Sequence, residues 1–467
     1  MKKLLMILTL LSIFAGSGAA QSFSGRWYGL MYGCLVTVDF HDNGAMSIRS
    51  EANSNMLLTK TYTAEKKGDL YDFDLTQDVS GMSCLGIARF YGPDSLRINM
   101  KLGPQGQVNR PADIDEDSGV YGIALNLSRD RSRIHSALDN KAEIPAEAAL
   151  AFERNRRLGH GLNLNGYVDG NPADGNDAPM SPEDFRSIAE AGFQSVRIDV
   201  CWIRHCSTEA PYTIDPEFFD YMDRTIRECF KNGIAVSIDQ HYYPYINMSE
   251  PDAQLSWDQN IDRLKSLWKQ IAEHYKDYPD DMLYFDLLNE PNMALGADGL
   301  NRLYAELIKI IRETNPGRTL LLGTPNLGQS WTLGELKLPE DDWNLIVEVH
   351  YYLPHTFTHN NLSYVESATG SSNVWEGSPE DEAPIRYDMD FCALWSSRSG
   401  RPVNVGEWGA CLNADRDSRL RYFTFMHRLF DAHGFSSHIW AYRGLFGLYD
   451  MTKESWDEGV LSSLELK

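Results

Sequence analysis

The sequence predicts an α/β protein, a (β/α)8 TIM barrel preceded by a small all-β N-terminal domain. Three observations predict it. A chain of 467 residues is too long for one ordinary core and calls for two or three domains. Residues 21 to about 135 read as short strands between Gly, Asn and Asp turns, with no long helical pattern. From about residue 151 short apolar strands alternate with amphipathic helices, the rhythm of βα units on a parallel sheet.

The chain opens on "MKKLLMILTLLSIFAGSGAAQS", with Lys2 and Lys3 ahead of an apolar core from Leu4 to Ala15 and the small residues Gly18, Ala19 and Ala20. That order is an export signal over residues 1–20, and its apolar run is shorter than the ~20 residues a bilayer span needs. The expectation is an exported protein, extracellular or periplasmic, with no membrane partner once the signal is removed. Residues 21–135 then offer "GRWYGLM", "CLVTVDF", "AMSIRS", "YDFDL", "CLGIARFYG" and "GVYGIALNL", a small antiparallel barrel or sandwich. Residues 136–150 are Ala- and Glu-rich and read as a linker with a short helix.

Residues 151–467 carry the barrel. Ser181-Pro182-Glu183-Asp184 combines a cap, an N1 proline and a capping-box carboxylate, with Gly192 closing the helix. Asp215-Pro216-Glu217 opens the next helix and Gly233 ends it. Eight strands follow in order: "GLNLNG", "SVRIDV", "IAVSIDQH", "LYFDLL", "TLLLGT", "LIVEVHYY", "VNVGEW" and "HIWAY". The helix between the fifth and sixth is weak, and a long loop, roughly 355–385, follows the sixth.

Composition narrows the function. With 66 Asp and Glu against 43 Lys and Arg, the net charge of −23 disfavours nucleic acid and anionic membranes but does not repel a neutral polymer. The seven cysteines leave at least one thiol free, with Cys34 and Cys84 placed to bridge. Cys201 and Cys206, flanking His205, are the only close pair, and no zinc-finger spacing completes them.

In such a barrel the chemistry sits at the C-terminal ends of the strands. Those ends carry Arg197, His241, Asn289 with Glu290, His350 with Tyr352, Glu407, and Trp440. Each alone has an ordinary structural explanation as a buried ion-pair partner or core ring; their convergence on one rim does not. Glu290 and Glu407, ending strands four and seven, face each other across the mouth, the carboxylate pair glycoside hydrolysis requires. A separation of ~5–5.5 Å lets the second attack carbon with retention, whereas ~6.5–9.5 Å admits a water and inverts.

"LLNEPN" followed by "VNVGEWG", with "VRIDV", "IDQHYY", "EVHYY" and "HIWAY" in order, resembles glycoside hydrolase family 5 over residues from about 155 to 450. The resemblance implies a retaining (β/α)8 glycosidase. Glu290 is then the acid/base, Glu407 the nucleophile, and Asn289 a hydrogen-bond partner of the sugar 2-hydroxyl. It gives Arg197 and Tyr352 contact with Glu407, has His241 and His350 line the adjacent subsite, and makes Trp440 a stacking platform. The reaction needs Glu290 protonated near neutral pH, so its pKa is expected to be raised. The resulting expectation is a secreted endo-β-1,4-glucanase acting on β-1,4 or mixed-linkage glucan, without metal or cofactor. A β-mannanase or another β-glycan endo-hydrolase is the alternative within the family, and a carbohydrate-binding protein on an inactive barrel the alternative outside it.

Trp202, Trp331, Trp375 and Trp408 are further subsite candidates. Trp331 and Trp375 lie in expected loops, while alternation turns Trp408 away from Glu407. His355 and His359 share helical spacing but lack the remainder of a metal motif such as H-E-x-x-H. "DIDED", 113–117, lacks the Gly and Glu of a calcium loop. For the N-terminal domain, sugar binding through Trp27, Tyr28, Tyr32, Tyr62 and Tyr91 stands beside a purely stabilising role.

Overall fold

A computed structural model describes residues 22–54, 58–76, 82–116, 118, 122–139, 141–168, 180–243, 255–291, 295–363, 365 and 368–467; the expected leader, 1–20, lies outside them. The chain forms two compact units. One holds the residues up to His135 except 32–34 and 51–54; the other holds those two stretches and Ser136–Lys467.

The smaller unit is a meander of eight strands, β1 (Gly25–Met31), β2 (Cys34–Phe40), β3 (Ala45–Ser50), β4 (Leu58–Lys67), β5 (Leu70–Leu75), β6 (Met82–Phe90), β7 (Ser95–Pro104) and β8 (Ile123–Ser128), closed where β8 meets β1. The first three match the expected segments; β4 and β7 were not anticipated. The sequence of β4, LTKTYTAEKK, has few apolar residues, and its place is fixed by ladders to β3 and β5, which only the fold supplies. In β7, Leu96, Ile98 and Met100 face inward at period two, while Arg97 and Lys101 pair outward with Asp115 and Glu116 of the acidic "DIDED" run. The interior is aromatic, with Phe23 packed against Phe40, Phe73 and Phe90 at 4.8–5.6 Å between centroids. Trp27 belongs to that interior. It has no exposed area, its indole donates to the Phe23 carbonyl, and Arg129 covers its ring. Tyr62 stacks inside on Phe73. Of the five rings offered for sugar binding, closing so small a barrel takes Trp27 and Tyr62 into the core, while Tyr91 stays exposed.

In the larger unit, helix α1 (Ala148–Leu158) leads into eight parallel strands: β9 (His160–Val168), β10 (Ser195–Val200), β11 (Ala235–Asp239), β12 (Leu283–Asp286), β13 (Leu320–Gly323), β14 (Leu345–Tyr351), β15 (Val403–Trp408) and β16 (Ser436–Ile439). Each pairs with the next, and β16 returns to β9 to close the barrel. The alternation that positions the site is legible in β10. Val196, Ile198 and Val200 face outward into the helix layer, whereas Ser195, Arg197 and Asp199 point inward. Leu158, Ala235, Tyr284, Leu321 and Ile346 form a separate apolar cluster, a plug at the strand starts. Above it the barrel is lined by polar side chains.

The outer helices start as their caps dictate. α2 (Pro182–Ala191) carries the full Ser181–Asp184 capping box and ends on Gly192 in the left-handed region, and Asp215 caps α3 (Pro216–Lys231). Between β13 and β14 only the single turn α6 (Pro325–Gly328) and a short 3-10 segment occur, as the weak pattern implied. All seven cysteines are free thiols, so the Cys34–Cys84 bridge is not formed; the two residues belong to different compact units. His205, between Cys201 and Cys206, stacks face to face on Phe218. Among the described residues no helix is long and apolar enough to cross a membrane.

Candidate active site

A cavity of about 280 Å³ opens at the C-terminal ends of the strands, walled by His241, Asn289, Glu290, His350, Tyr352, Glu407 and Trp440. Seven residues separated by as much as 199 positions meet there because each lies at or within a few residues of the C-terminal end of a strand of one closed barrel.

At its floor lies Arg197, wholly buried on β10. Its Nε donates to Asp286 at 2.9 Å, Nη1 to Asn163 at 3.2 Å and Glu407 at 3.1 Å, and Nη2 to Asn289 at 2.8 Å. Asp239 is 2.9 Å from Nη2, and Glu348 and Asp199 stand at 3.5 and 3.6 Å. One guanidinium cannot balance five buried carboxylates. Burial pushes Asp199 and Asp286 well above the usual carboxylate range. Burial also works against the Glu348 anion, but Arg197 and the His350 hydrogen bond outweigh it and bring Glu348 to about 2.

Both oxygens of Glu407 are held. Oε1 accepts from Arg197, and Oε2 accepts the Tyr352 hydroxyl at 3.1 Å. Across from it, Glu290 Oε1 accepts from His350 Nδ1 at 2.9 Å, while His350 Nε2 reaches Glu348 at 3.2 Å. A carboxylate oxygen of Glu290 and one of Glu407 lie within 4.8 Å. Glu290 sits at φ 42°, a left-handed backbone rarely adopted by a side-chain-bearing residue, between Asn289 and Pro291. The strained turn lies four residues beyond the end of β12, where Glu290 lines the cavity. Asn289 Nδ2 stands 3.4 Å from His241 Nε2, and His241 Nδ1 bonds Asp239 at 2.8 Å. The Trp440 ring lies nearly parallel to His241, at 5.9 Å and 16°, with its apolar face partly open.

The proton inventory differs from the expectation. Burial would lower His350, yet the charges of Glu407 and Glu290 and the bonds to Glu290 and Glu348 hold it well above its ordinary value. Burial alone would raise Glu290, but the His350 bond and charge overcome it, so in the free site Glu290 lies below the usual range instead of above it. Burial raises Glu407, with Glu290 adding and His350 and Arg197 opposing. His241 is lifted to about 10, its burial outweighed by Asp239 and Asp199.

Not every sequence candidate arrives. Trp331 is on the 3-10 segment Ser330–Glu335, partly buried against the core and absent from the cavity wall. Trp375 is not a loop platform either; it is buried against Tyr422 and Phe425. Trp202 is core, and Trp408 turns outward onto Phe423 and Phe430 as alternation requires. Conversely, Tyr242, Gln329, His355, His359 and Phe446 line the cavity unforeseen. The two histidines stack at 5.1 Å on the turn α7 (His355–Thr358), so their helical spacing was a signal for the wall of the cleft. The triads Glu290–His350–Glu407 and Asp199–Asp239–His241 have metal-compatible spacing. Both His350 nitrogens already pair with Glu290 and Glu348, and His241 Nδ1 with Asp239.

The model of the cellulase family, glycosyl hydrolase family 5, matches residues 159–444, more than half the chain. This chain belongs to glycoside hydrolase family 5. Among solved structures, this family 5 chain resembles endoglucanase Cel5A from the hyperthermophilic Thermotoga maritima, with 35% identity and a TM-score of 0.62 over 67% of this chain and 99% of that one. It likewise resembles Thermotoga maritima Cel5A in complex with mannotriose substrate, at 36% identity and a TM-score of 0.62, over 67% of this chain and 99% of that one. Endoglucanase H of Acetivibrio thermocellus is 30% identical over 326 residues, 68% of this chain but only 34% of that protein. This chain therefore spans about a third of the length of that relative.

Proposed function

We propose that this family 5 member is an exported endo-β-1,4-glucanase that hydrolyses β-1,4 or mixed-linkage glucan by double displacement with retention. The observation that carries the reading is the Glu290–Glu407 oxygen pair within 4.8 Å, with Arg197 and Tyr352 on one partner and His350 on the other. That separation supports retention, since an intervening water needs about 6.5 Å or more between the carboxyl groups. The leader-like N-terminus supports export, and the resemblance to endoglucanases supports the glucan substrate.

Glu407 attacks the anomeric carbon with an oxygen aligned by Arg197 and Tyr352, forming an ester as the glycosidic C–O bond breaks. The leaving oxygen takes its proton from Glu290. Water then attacks the anomeric carbon, breaking its C–O bond to Glu407 and giving a proton to Glu290, which frees the Glu407 carboxylate. The site keeps that proton on the Glu290–His350 pair. Imidazolium with carboxylate, and imidazole with carboxylic acid, carry the same charge, and a 2.9 Å hydrogen bond connects them. Moving the proton along that bond arms Glu290 as the acid when the glycan displaces water from the cleft. Asn289 meets the sugar 2-hydroxyl, and the Trp440 face takes a pyranose ring.

Reducing-sugar release from carboxymethylcellulose, barley glucan, mannan, xylan and xyloglucan tests this, with Glu407→Gln alongside. Release from the glucans, lost in the variant, is expected. Release from mannan alone shifts the substrate to the second reading, which the mannotriose complex of a similar structure favours. Silence across the panel from folded protein sinks the hydrolase reading in favour of carbohydrate binding.

A further inference from the structure

At the opposite end of the large barrel from the reacting carboxylates, His160 opens β9, and the helix α9 (Arg416–His433) presents His427 and Asp431 one turn apart. Spacing of i, i+4 puts the last two on one helix face. His160 Nε2 lies 3.0 Å from Asp431 Oδ1, His427 Nε2 lies 3.7 Å from Asp431 Oδ2, and one donor atom from each residue falls within 4.8 Å of the others. We propose that His160, His427 and Asp431 form a binding site for a late first-row divalent cation, of which Zn2+ is the representative.

Geometry fits without rebuilding. Bonds of about 2.0–2.2 Å at tetrahedral angles set ligand atoms roughly 3.3 Å apart, between the two separations observed. The two rings lie with centroids 4.1 Å apart and are tilted by 43°, so they are not stacked in parallel.

A second observation points to a ligand. His427 has only 4% of its side chain exposed, and among the described residues its ring makes no hydrogen bond shorter than the 3.7 Å approach to Asp431, a weakly satisfied buried polar group. Ligation would satisfy it. His160 Nδ1 is buried and partnerless, which leaves Nε2 as the donor on offer. Asp431 is about half exposed, so a bound ion keeps a face open to water or a further ligand. Two imidazoles and one carboxylate select Zn2+, Co2+, Ni2+ or Cu2+ over Ca2+ and Mg2+, which take oxygen donors.

The test is calorimetric titration of the full chain with zinc chloride, repeated with Asp431→Asn and His160→Gln. Wild type should take up one equivalent that each variant binds at least tenfold more weakly, while circular dichroism and glucan hydrolysis stay unchanged. Cobalt(II) gives a second readout: its visible absorption on the wild-type protein should vanish in His427→Gln. Wild-type affinity in both Asp431→Asn and His160→Gln would overturn the proposal. So would absence of binding, or a bound equivalent lost only in His359→Gln, which would assign the ion to the cleft.

Discussion

The hydroxyl of Tyr352 offers a narrow test of how the nucleophile is held. Phenylalanine there keeps the ring, which meets His359 edge-on at 4.8 Å and Phe446 at 6.0 Å, and removes the 3.1 Å donation to Glu407 Oε2. Arg197 remains on the other oxygen, so the carboxylate loses one of its two recorded donors. A hydrogen bond to a charged group contributes about 1.5–3 kcal/mol, which at about 1.4 kcal/mol per decade is roughly a 10–100-fold loss in kcat/KM. The pH profile supplies the sign. Burial already raises Glu407, and losing a donor further disfavours its anion. The acid limb of kcat/KM should therefore move to higher pH in Tyr352→Phe. Initial rates on barley glucan from pH 4 to 8, with thermal melting as a control for folding, provide the measurement. Activity within twofold of wild type and an unmoved acid limb would refute the claim that Tyr352 holds the nucleophile.

Other consequences are equally direct. Glu290→Gln removes the proposed proton donor, so glucan hydrolysis should fall by about 10²–10⁴-fold while aryl glycosides with good leaving groups lose far less in the first step; equal losses on both would contradict the acid role. In Gly406→Ala a methyl falls against the Glu348 carboxylate, which contacts both Arg197 and His350. Urea unfolding should show a loss of about 1–3 kcal/mol together with reduced activity, and an unchanged midpoint with full activity would refute the packing argument. His438 is pushed by burial down to about 3, so the unfolded chain binds its proton first as pH falls below the ordinary value near 6.5. Its stabilisation is complete above that value and is lost progressively toward pH 3, with a slope approaching about 1.4 kcal/mol per pH unit. Urea midpoints at pH 7, 6 and 5 should fall more steeply for wild type than for His438→Asn; parallel slopes would exclude His438 as the cause.

The sequence by itself determined the parts of this protein governed by local chemistry. Caps and prolines located the helix starts, because Ser181, Asp184 and Asp215 satisfy backbone amides within a few residues of themselves. Apolar runs between turns marked all eight strands of the large barrel, and their polar ends named Arg197, His241, Asn289, Glu290, His350, Tyr352, Glu407 and Trp440 before any distance was known. What needed partners distant in the chain was decided only by the tertiary structure. The ladders that hold β4, the burial of Trp27 and Trp375, and the arrival of His355 and His359 in the cleft depend on neighbours that no sequence window contains. The protonation of the site belongs to the same class. Glu290 was expected above its ordinary value and lies below it, because His350, sixty residues away, meets it inside a barrel where burial, five carboxylates and one arginine decide together where the protons rest.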